Sequence, residues 1–415
     1  MSDDPLPSTF QGRALEAADW ARAAGYACRG VDLSDRFPPA LAQAALPYVW
    51  NRVRQDAQAR AARGFAVACA KPAYLVVENG PVLTQHLFSI ADDLNTEEIE
   101  WLPVSTGAGS GFDGRVRAVW DLADQRFPFD RGLLDLPVTP VAAPHLYLRN
   151  HVNFGHFVLD FLASLFTAEH LFPDLARLPI ALNLRLDEHR TLLNAFGIPD
   201  ERLNLFQPPP DQRALFRFDE LHVPSSGRGP LGCALIAERA ARAVPAEPGH
   251  RRLFLSRRRF MPRHRIANQD EVEALLRERG FEALLPETLD PLDLLTQVRQ
   301  AEMVALPFGA GLGNLAMTQP HCAIILMVPE FFAADRYDSA LLSGQRRFLL
   351  PFFDRLWFVA GQPAPGVPPP IGADGRLSWN LGTLNEPYLY NLGALDLAIL
   401  KAEKALRTSA AKTDL

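Results

Sequence analysis

The pattern of apolar and polar positions changes character along the chain. From His145 onward, short apolar runs alternate with longer segments whose apolar residues recur at helical spacing. Short runs bounded by turn residues predict buried strands, and helical spacing predicts amphipathic helices. Such alternation is typical of a parallel sheet covered by helices. The predicted strands are 146–148, 179–184, 203–206, 220–224, 252–256, 281–285, 303–307 and 323–328, and the predicted helices are 154–166, 188–196, 231–243, 269–279, 291–301 and 395–406.

The region before His145 is less regular. It contains helix-like patterns at 14–24 and 40–63, strand-like runs at 65–70 and 74–77, and a glycine-rich loop at 107–114. A proline-rich segment at 245–249 has the composition of a linker between two α/β halves. We therefore expect two Rossmann-like domains, with ligands at the carboxyl ends of the strands. The expected domains are 1–244, with a helical N-terminal extension, and 250–360, followed by a proline-rich segment and a final helix in 361–415.

Composition and charge restrict the function classes. The 415 residues include 42 Lys and Arg against 48 Asp and Glu, so that no global basic field favours nucleic acid. No apolar run approaches the ~20 residues that span a bilayer, and the first twenty residues lack the pattern of a secretory signal. The four cysteines are far apart and form no CxxC pair, which indicates reduced thiols. We expect a soluble, cytoplasmic protein.

A histidine and an aspartate interrupt the apolar helix predicted over 154–166. The run is His151-Val-Asn153-Phe-Gly-His156-Phe-Val-Leu-Asp160. In a helix that begins near residue 154, His156 and Asp160 lie at i and i+4 on one face. The carboxylate can then orient the ring and stabilise its charged form, as in an acid–base pair. The same pattern fits a buried, hydrogen-bonded pair that only holds the helix in place. Since no third ligand is evident, we predict no metal here.

A basic segment follows the predicted strand 252–256. The run Ser-Arg-Arg-Arg begins at Ser256, and further basic residues, Arg265 among them, precede Asn268. Guanidinium groups can donate paired hydrogen bonds to a diphosphate. The alternative is a solvated basic loop, but the position directly after a buried strand is where Rossmann-like domains bind ligands.

A second loop of small residues follows the predicted strand 303–307. The run is Phe308-Gly309-Ala310-Gly311-Leu312-Gly313-Asn314. Small residues let the backbone approach a ligand, and free amides at a helix start favour phosphate. The spacing is not GxGxxG, and a tight strand-to-helix turn explains the run equally well.

Taken together and in order, these runs resemble glycosyltransferase family 61. Asn153-Phe-Gly-His156-Phe-Val-Leu-Asp160 fits the N-x-x-H-[WF]-x-x-D signature, and Ser256-Arg257 fits the S-R strand end. Further matches are Arg265-Ile-Ala-Asn268 to R-I-x-N, the pair Gly280-Phe281, Gln297 before Ala301, and the glycine run to H-G-A-G-L-x-N. The resemblance covers roughly residues 145–330.

The resemblance implies a GT-B-like architecture: an acceptor domain and a nucleotide-sugar domain facing a central cleft, with the last helix crossing back to the N-terminal domain. It implies inverting sugar transfer from a nucleotide-diphosphate sugar, UDP-linked by expectation, to a glycan or glycolipid of capsule, lipopolysaccharide or a similar polymer. No cofactor or metal is expected, and membrane association would be peripheral. Asp160 is the preferred base, with His156 as its partner or as a contact to the acceptor, and His156 is the alternative base. Donor binding is assigned to Arg257, Arg265, Asn268, Gly309, Ala310, Gly311 and Asn314, and the acceptor side to His151 and Asn153.

Two positions depart from the family pattern. Phe308 stands where the family has histidine, and Leu326 stands where many members have glutamate. These departures motivate the alternative of a degenerate, non-catalytic module that binds glycan or nucleotide. An NAD-dependent oxidoreductase is a third hypothesis, which the absence of GxGxxG and of a ribose-binding acid disfavours.

Overall fold

The chain divides into two compact units in a computed structural model. The structure describes residues 9–14, 28–31, 65–79, 83–89, 100–101, 126–130, 136–148, 153–182, 186–246, 249–259, 266–333, 349–367 and 386–413. Unit 1 comprises the described residues within 1–33, 63–190 and 198–227, and unit 2 those within 191–197 and 228–415.

Unit 1 contains two sheets. Their strands are β1 (Thr9–Ala14), β2 (Cys28–Val31), β3 (Phe65–Ala70), β4 (Ala73–Asn79), β5 (Leu83–Ser89), β6 (Glu100–Trp101), β7 (Arg126–Asp130), β8 (Val138–Val141), β9 (His145–Tyr147), β10 (Ile180–Leu182), β11 (Leu203–Leu205), β12 (Gln212–Phe218) and β13 (Leu221–Pro224). The first sheet has the order β7-β1-β6-β5-β4-β12-β8, and the second has the order β11-β10-β9-β13-β3-β2.

The core of unit 1 lies between these two sheets. Leu75 and Phe218 of the first sheet pack with Tyr147, Ala181 and Leu221 of the second, and all five are fully buried. Strands β9, β10, β11 and β13 pair in parallel. Because the chain runs outward from β9 to β11 and then returns to β13 on the other side of β9, the strand order reverses between β9 and β13. Open α/β sheets bind ligands at such a reversal.

The helical segments of unit 1 follow the strands of the second sheet. After β9 the chain forms α1 (Phe154–His156), a π-helical turn (Phe157–Leu162) and α2 (Ala163–Leu171) without interruption. The 3₁₀ helices are Pro173–Arg177, Asp187–His189 and Asp200–Arg202.

Unit 2 is built on one sheet with the order β15-β14-β16-β17-β18-β19, parallel except for β19. Its order also reverses, between β14 and β16. The strands are β14 (Arg251–Leu255), β15 (Phe281–Leu284), β16 (Ala301–Pro307), β17 (Ala323–Pro329), β18 (Leu356–Pro363) and β19 (Tyr388–Tyr390). The helices are α3 (Arg190–Ala195, from Thr191 onward in unit 2), α4 (Pro230–Ala243), α5 (Gln269–Glu278), α6 (Pro291–Arg299), α7 (Glu330–Ala333) and α8 (Leu392–Thr413), with 3₁₀ helices at Pro286–Thr288, Ala310–Met317 and Leu350–Arg355.

The α/β class expected from the sequence is confirmed, with additions. The antiparallel pairing that dominates the first sheet was not expected, and neither were β1, β2, β5 to β8, β12, β18 and β19. The expected helical N-terminal extension is wrong for its described residues, because β1 and β2 lie there and pair with other strands of unit 1. The change of unit falls between Gly227 and Arg228 rather than at the expected linker 245–249, because α4 packs against the 3₁₀ helix Ala310–Met317 of unit 2.

The final helix requires a correction. It was expected to cross back to the N-terminal domain, but α8 belongs to unit 2, where it packs on β17, β18 and α5. Leu395 and Ile399 are fully buried in this contact. Arg279 donates to Asp396 (2.7 Å) and Arg252 donates to Glu403 (2.7 Å), so that ion pairs border the apolar contact.

Several sequence predictions fall outside the described residues. These are the helix over 40–63, the loop over 107–114, all of the helix over 14–24 beyond residue 14, and the side chains of His151 and Arg265. Among the helices that the structure describes, none combines the length and apolar character needed to cross a membrane.

Candidate active site

His156 and Asp160 form a direct contact in unit 1. His156 Nδ1 lies 2.7 Å from Asp160 Oδ2, a distance at which the ring N–H donates to the carboxylate. The side chain of Asp160 is 14% exposed and that of His156 is 41% exposed. The expected i, i+4 pairing is therefore present. The more accessible member is the imidazole, and the carboxylate beneath it is shielded.

The local sequence explains the position of this pair. Asn153 begins α1 as its N-cap, and its side-chain oxygen accepts a hydrogen bond from the backbone N–H of His156 (3.3 Å). Asp160 lies in the π-helical turn, a conformation that is rare and frequent at functional sites. Since α1 is the next described element after β9, the pair follows one of the two strands, β9 and β13, between which the strand order reverses. The structure thus shows Asn153 as a helix cap, while its acceptor-side role stays a prediction.

The loop after β13 closes on the same helical segment. Gly227 N–H donates to Ser164 Oγ (2.9 Å), and a Cβ on Gly227 would overlap the carbonyl oxygen of Ala163. Only glycine allows this approach of backbone to backbone. The loop after β13 therefore packs directly against α2, which continues the helical segment that carries Asp160.

Sequence reasoning missed His189. Its buried ring stacks on Phe157, with centroids 4.1 Å apart, and meets Phe154 edge-on at 5.8 Å. These two phenylalanines flank His156 in the chain within two residues. No motif marks His189, because its place beside α1 depends on a 3₁₀ helix more than thirty residues later.

The basic segment of unit 2 begins at the carboxyl end of β14. Ser256 is buried, Arg257 is partly buried, and Arg258 and Arg259 are exposed. Ser256 N–H donates to the carbonyl oxygen of Leu284 at the end of β15 (2.8 Å), which continues the strand pairing. Of these arginines, Arg257 is therefore the one nearest to the carboxyl end of β14, where the strand order reverses between β14 and β16.

An acidic residue that the sequence did not nominate organises this strand end. Glu273 accepts hydrogen bonds from Ser256 Oγ (3.0 Å), Gln269 Nε2 (2.6 Å) and Arg258 Nη2 (2.8 Å). Burial alone would raise the pKa of Glu273, but these donors hold it below its usual range. Arg258 also donates to Asp270 (2.6 Å), and the two carboxylates raise its pKa. The charge of Arg258 is thus compensated within the protein.

The glycine run follows β16, the strand beside β14. Gly309 has a backbone φ of +154°, which residues other than glycine rarely adopt, and the 3₁₀ helix Ala310–Met317 begins directly after it. Asn314 is 1% exposed and donates through Nδ2 to the carbonyl oxygen of Gly311 (3.1 Å). Its buried Oδ1 accepts no hydrogen bond from the part of the chain that the structure describes. A buried, unsatisfied amide oxygen is costly, so a donor group on a ligand would stabilise it.

The structure brings the two predicted donor segments of unit 2 together. Arg257 follows β14 and Gly309 follows β16, and these parallel neighbours end at the same edge of the sheet. Asn268 has a different environment: its side chain donates to the carbonyl oxygen of Tyr390 (2.9 Å) and accepts from its N–H (3.0 Å). These bonds fix the start of α5 against β19, and a direct donor contact by Asn268 stays a prediction.

The two departures from the family pattern are packing residues. Phe308 is 4% exposed and contacts Phe332 with ring centroids 4.6 Å apart. Leu326 is fully buried within β17, between Leu306 of β16 and Phe358 of β18. Glu330 is the first residue of α7, directly after β17, and so lies at the same sheet edge as the glycine run.

Two comparisons with known proteins bear on this arrangement. The family model described as Glycosyltransferase 61 matches residues 154–325, a range that begins at α1 and ends within β17. It therefore includes the His156–Asp160 pair, the strand end at Arg257 and the glycine run. A search of curated proteins finds no match to this chain.

Proposed function

We propose that this chain transfers a sugar from a nucleotide-diphosphate sugar to a glycan or glycolipid, with inversion at the anomeric carbon. The proposal starts from the match of residues 154–325 to the model of glycosyltransferase family 61. The family indicates glycosyltransferase activity. The donor, the acceptor in capsule, lipopolysaccharide or a similar polymer, the inversion, the GT-B arrangement and the cytoplasmic location are proposals. The observation that supports this most strongly is the position of the two predicted donor segments. They begin at the carboxyl ends of β14 and β16, the two strands between which the strand order of unit 2 reverses.

The donor diphosphate would bind between the ends of β14 and β16. Arg257 offers a guanidinium group that is partly buried, where a charge-assisted hydrogen bond is stronger than in water. Backbone amides at the start of the 3₁₀ helix after Gly309 offer further donors for the phosphate oxygens. Together they would stabilise the charge that develops on the departing nucleoside diphosphate.

The acceptor hydroxyl would lose its proton to the His156–Asp160 pair. Because the carboxylate engages Nδ1, it orients the ring and stabilises the imidazolium that forms. The greater exposure of His156 supports the imidazole as the group that receives the proton, with Asp160 beneath it. This exchanges the roles preferred from the sequence, which placed Asp160 first.

We further propose that the transfer step requires no metal ion. Cationic side chains and oriented amides can stabilise a diphosphate leaving group in the role that a divalent ion has elsewhere. The measurement is turnover after treatment with EDTA. Activity within about twofold of the untreated enzyme is expected, and complete loss that manganese restores would contradict the proposal.

A second candidate is a non-catalytic member that binds glycan or nucleotide. The observation in its favour is that Phe308 and Leu326 are buried packing residues, so that neither position offers a polar group to a donor. The proposals differ in nucleotide affinity and turnover, and one titration separates them.

The test is calorimetric titration of the full chain with UDP, GDP, CDP, CMP and NADH. We expect one nucleoside diphosphate to bind at micromolar concentration, and Arg257→Ala to weaken it by roughly 10- to 100-fold, since a hydrogen bond to a charged group contributes about 1.5–3 kcal/mol. Arg259→Ala is the matched control, because it removes the same charge from an exposed neighbour two residues away.

The outcomes are distinct. Equal weakening by both variants would indicate nonspecific electrostatic attraction and overturn the role of Arg257. A folded wild-type protein that binds no nucleotide would favour the non-catalytic candidate. Binding of NADH in preference to the diphosphates would favour an oxidoreductase.

A further inference from the structure

Three side chains with metal-binding atoms lie together in unit 1, outside the candidate active site. Cys69 lies in β3 and His222 in β13, and these residues are direct partners in the antiparallel pairing of the two strands. Glu220 precedes His222 by two residues. Since side chains in a strand alternate between faces, Glu220 and His222 share one face, and Leu221 occupies the opposite, core-facing side with Ala68.

The separations of the three ligand atoms are close to those of a coordination sphere. One ligand atom from each of Cys69, Glu220 and His222 can be chosen so that all lie within 4.8 Å of one another. His222 Nε2 is 2.8 Å from Glu220 Oε1. Tetrahedral Zn²⁺, with bonds of about 2.0–2.3 Å, places its ligand atoms about 3.3–3.8 Å apart. Small side-chain movements would bring the three atoms to this spacing, and the register of the two strands already places Cys69 opposite His222.

The cluster is accessible and its carboxylate already binds a cation. The side chains of His222 and Glu220 are 13% and 28% exposed, so that an ion can enter from solvent and is then partly shielded. Lys71 Nζ lies 2.6 Å from Glu220 Oε2, and the lysine side chain is 56% exposed. The ammonium group can swing into water when a divalent ion takes its place beside the carboxylate.

The set of donor atoms selects the metal. Sulfur and imidazole nitrogen are poor ligands for Mg²⁺, Ca²⁺ and Mn²⁺ and good ligands for Zn²⁺. Three protein ligands leave the fourth tetrahedral position to water. We propose that Cys69, Glu220 and His222 bind one Zn²⁺ ion that joins β3 to β13. This site is independent of the proposed transfer reaction, because none of its ligands belongs to the two donor segments or to the His156–Asp160 pair.

The test is Zn²⁺ binding to the full chain, measured by competition with a chromophoric chelator, with Co²⁺ as a spectroscopic probe. We expect one Zn²⁺ per chain and a thiolate-to-Co²⁺ charge-transfer band. Cys69→Ser and His222→Ala should each weaken Zn²⁺ by at least about 10- to 100-fold, the loss typical even for groups that only support a ligand. His170→Ala is the matched control, since this histidine is exposed in the same unit. The control variant should bind Zn²⁺ with the affinity of the wild type.

Lys71→Gln supplies a test that does not depend on removing a ligand. Without the competing ammonium group, Glu220 is free to bind the ion, so this variant should bind Zn²⁺ more tightly than the wild type. The proposal is overturned if Zn²⁺ binding is absent, if it survives both Cys69→Ser and His222→Ala unchanged, or if Lys71→Gln leaves the affinity unaltered or weaker. If a ligand variant fails to fold, the exposed position of Lys71 keeps this second arm decisive.

Discussion

Replacement of Asp160 by asparagine is the most informative single change. In the wild type, His156 Nδ1 lies 2.7 Å from the carboxylate of Asp160. Asparagine has nearly the shape of aspartate and keeps an oxygen that can accept this hydrogen bond. It removes the negative charge that stabilises an imidazolium ion. Whether Asp160 is the base itself or orients the base, the variant loses proton transfer to the pair, so its effect tests the pair as a unit.

The expected magnitudes separate catalysis from folding. A positioned base contributes about 10²–10⁴ in rate, equivalent to about 2.7–5.4 kcal/mol in the barrier. The same contact contributes little to stability: the histidine is 41% exposed, and solvent-accessible ion pairs contribute about 0–1 kcal/mol. Asp160→Asn should therefore reduce kcat at least 100-fold and change the free energy of unfolding by no more than about 1 kcal/mol.

The assay measures release of the nucleoside diphosphate from the donor that the titration identifies, in the presence of acceptor. Asp200→Asn is the matched control, because Asp200 is a carboxylate of the same unit that pairs with Arg190 (3.1 Å) at the surface. Nucleotide affinity should be unchanged in both variants, since the proposed role of the pair is to take the proton of the acceptor and not to bind the diphosphate. A folded Asp160→Asn enzyme with kcat within threefold of the wild type would refute the role of the pair.

The pH dependence of the rate then distinguishes the two members. Imidazole titrates nearer to neutrality than a carboxyl group, so a histidine base gives kcat/KM an acidic limb close to neutral pH. A limb at clearly lower pH would return the role of base to Asp160. His156→Gln should abolish the neutral limb.

Three further predictions test other parts of the structure. Gly311→Ala should leave the melting temperature unchanged, because the new Cβ lies at an ordinary contact distance of 3.5 Å from Leu306 Cδ1. Calorimetry should show nucleotide binding weakened several-fold, because the new methyl group keeps the phosphate from approaching the backbone. Glu273→Gln should weaken nucleotide binding without contacting the ligand, because Glu273 positions Ser256 and the following Arg257. The free energy of unfolding, followed by fluorescence, should decrease as the pH is lowered below 6.5. Burial lowers the pKa of His145 from that ordinary value, so that the folded state binds fewer protons than the unfolded chain in this range.

Each of these predictions has a result that contradicts it. Unchanged nucleotide affinity in Gly311→Ala would place the phosphates away from the 3₁₀ helix. For Glu273→Gln the matched control is Glu282→Gln at β15, an exposed carboxylate paired with Arg251, and equal effects of the two variants would argue against a positioning role. If His145→Gln loses stability between pH 7 and 5 as steeply as the wild type, the acid sensitivity arises from other groups.

The amino-acid pattern was enough to predict the α/β class, most elements after His145 and the His156–Asp160 contact. These follow from local rules: apolar runs predict strands, helical spacing predicts helices, and i, i+4 residues in one helix must be neighbours. Local pattern also gave the bounds of α5 and β14 to within a residue or two. The glycine run was expected as a loop, and its backbone is a tight 3₁₀ helix.

Which separate segments come into contact could not be predicted from local pattern, because it depends on the folding of the whole chain. Nothing local to Arg257 or Gly309 specifies that β14 and β16 are neighbours, because strand order depends on pairing between segments about fifty residues apart. Glu273 and His189 were missed for the same reason, since their partners lie on other elements. The packing of whole sheets also decides that α8 lies on the sheet of unit 2. The same is true of the contact of Cys69 with Glu220 and His222. The sequence names the chemical groups, but their distances are a property of the folded chain.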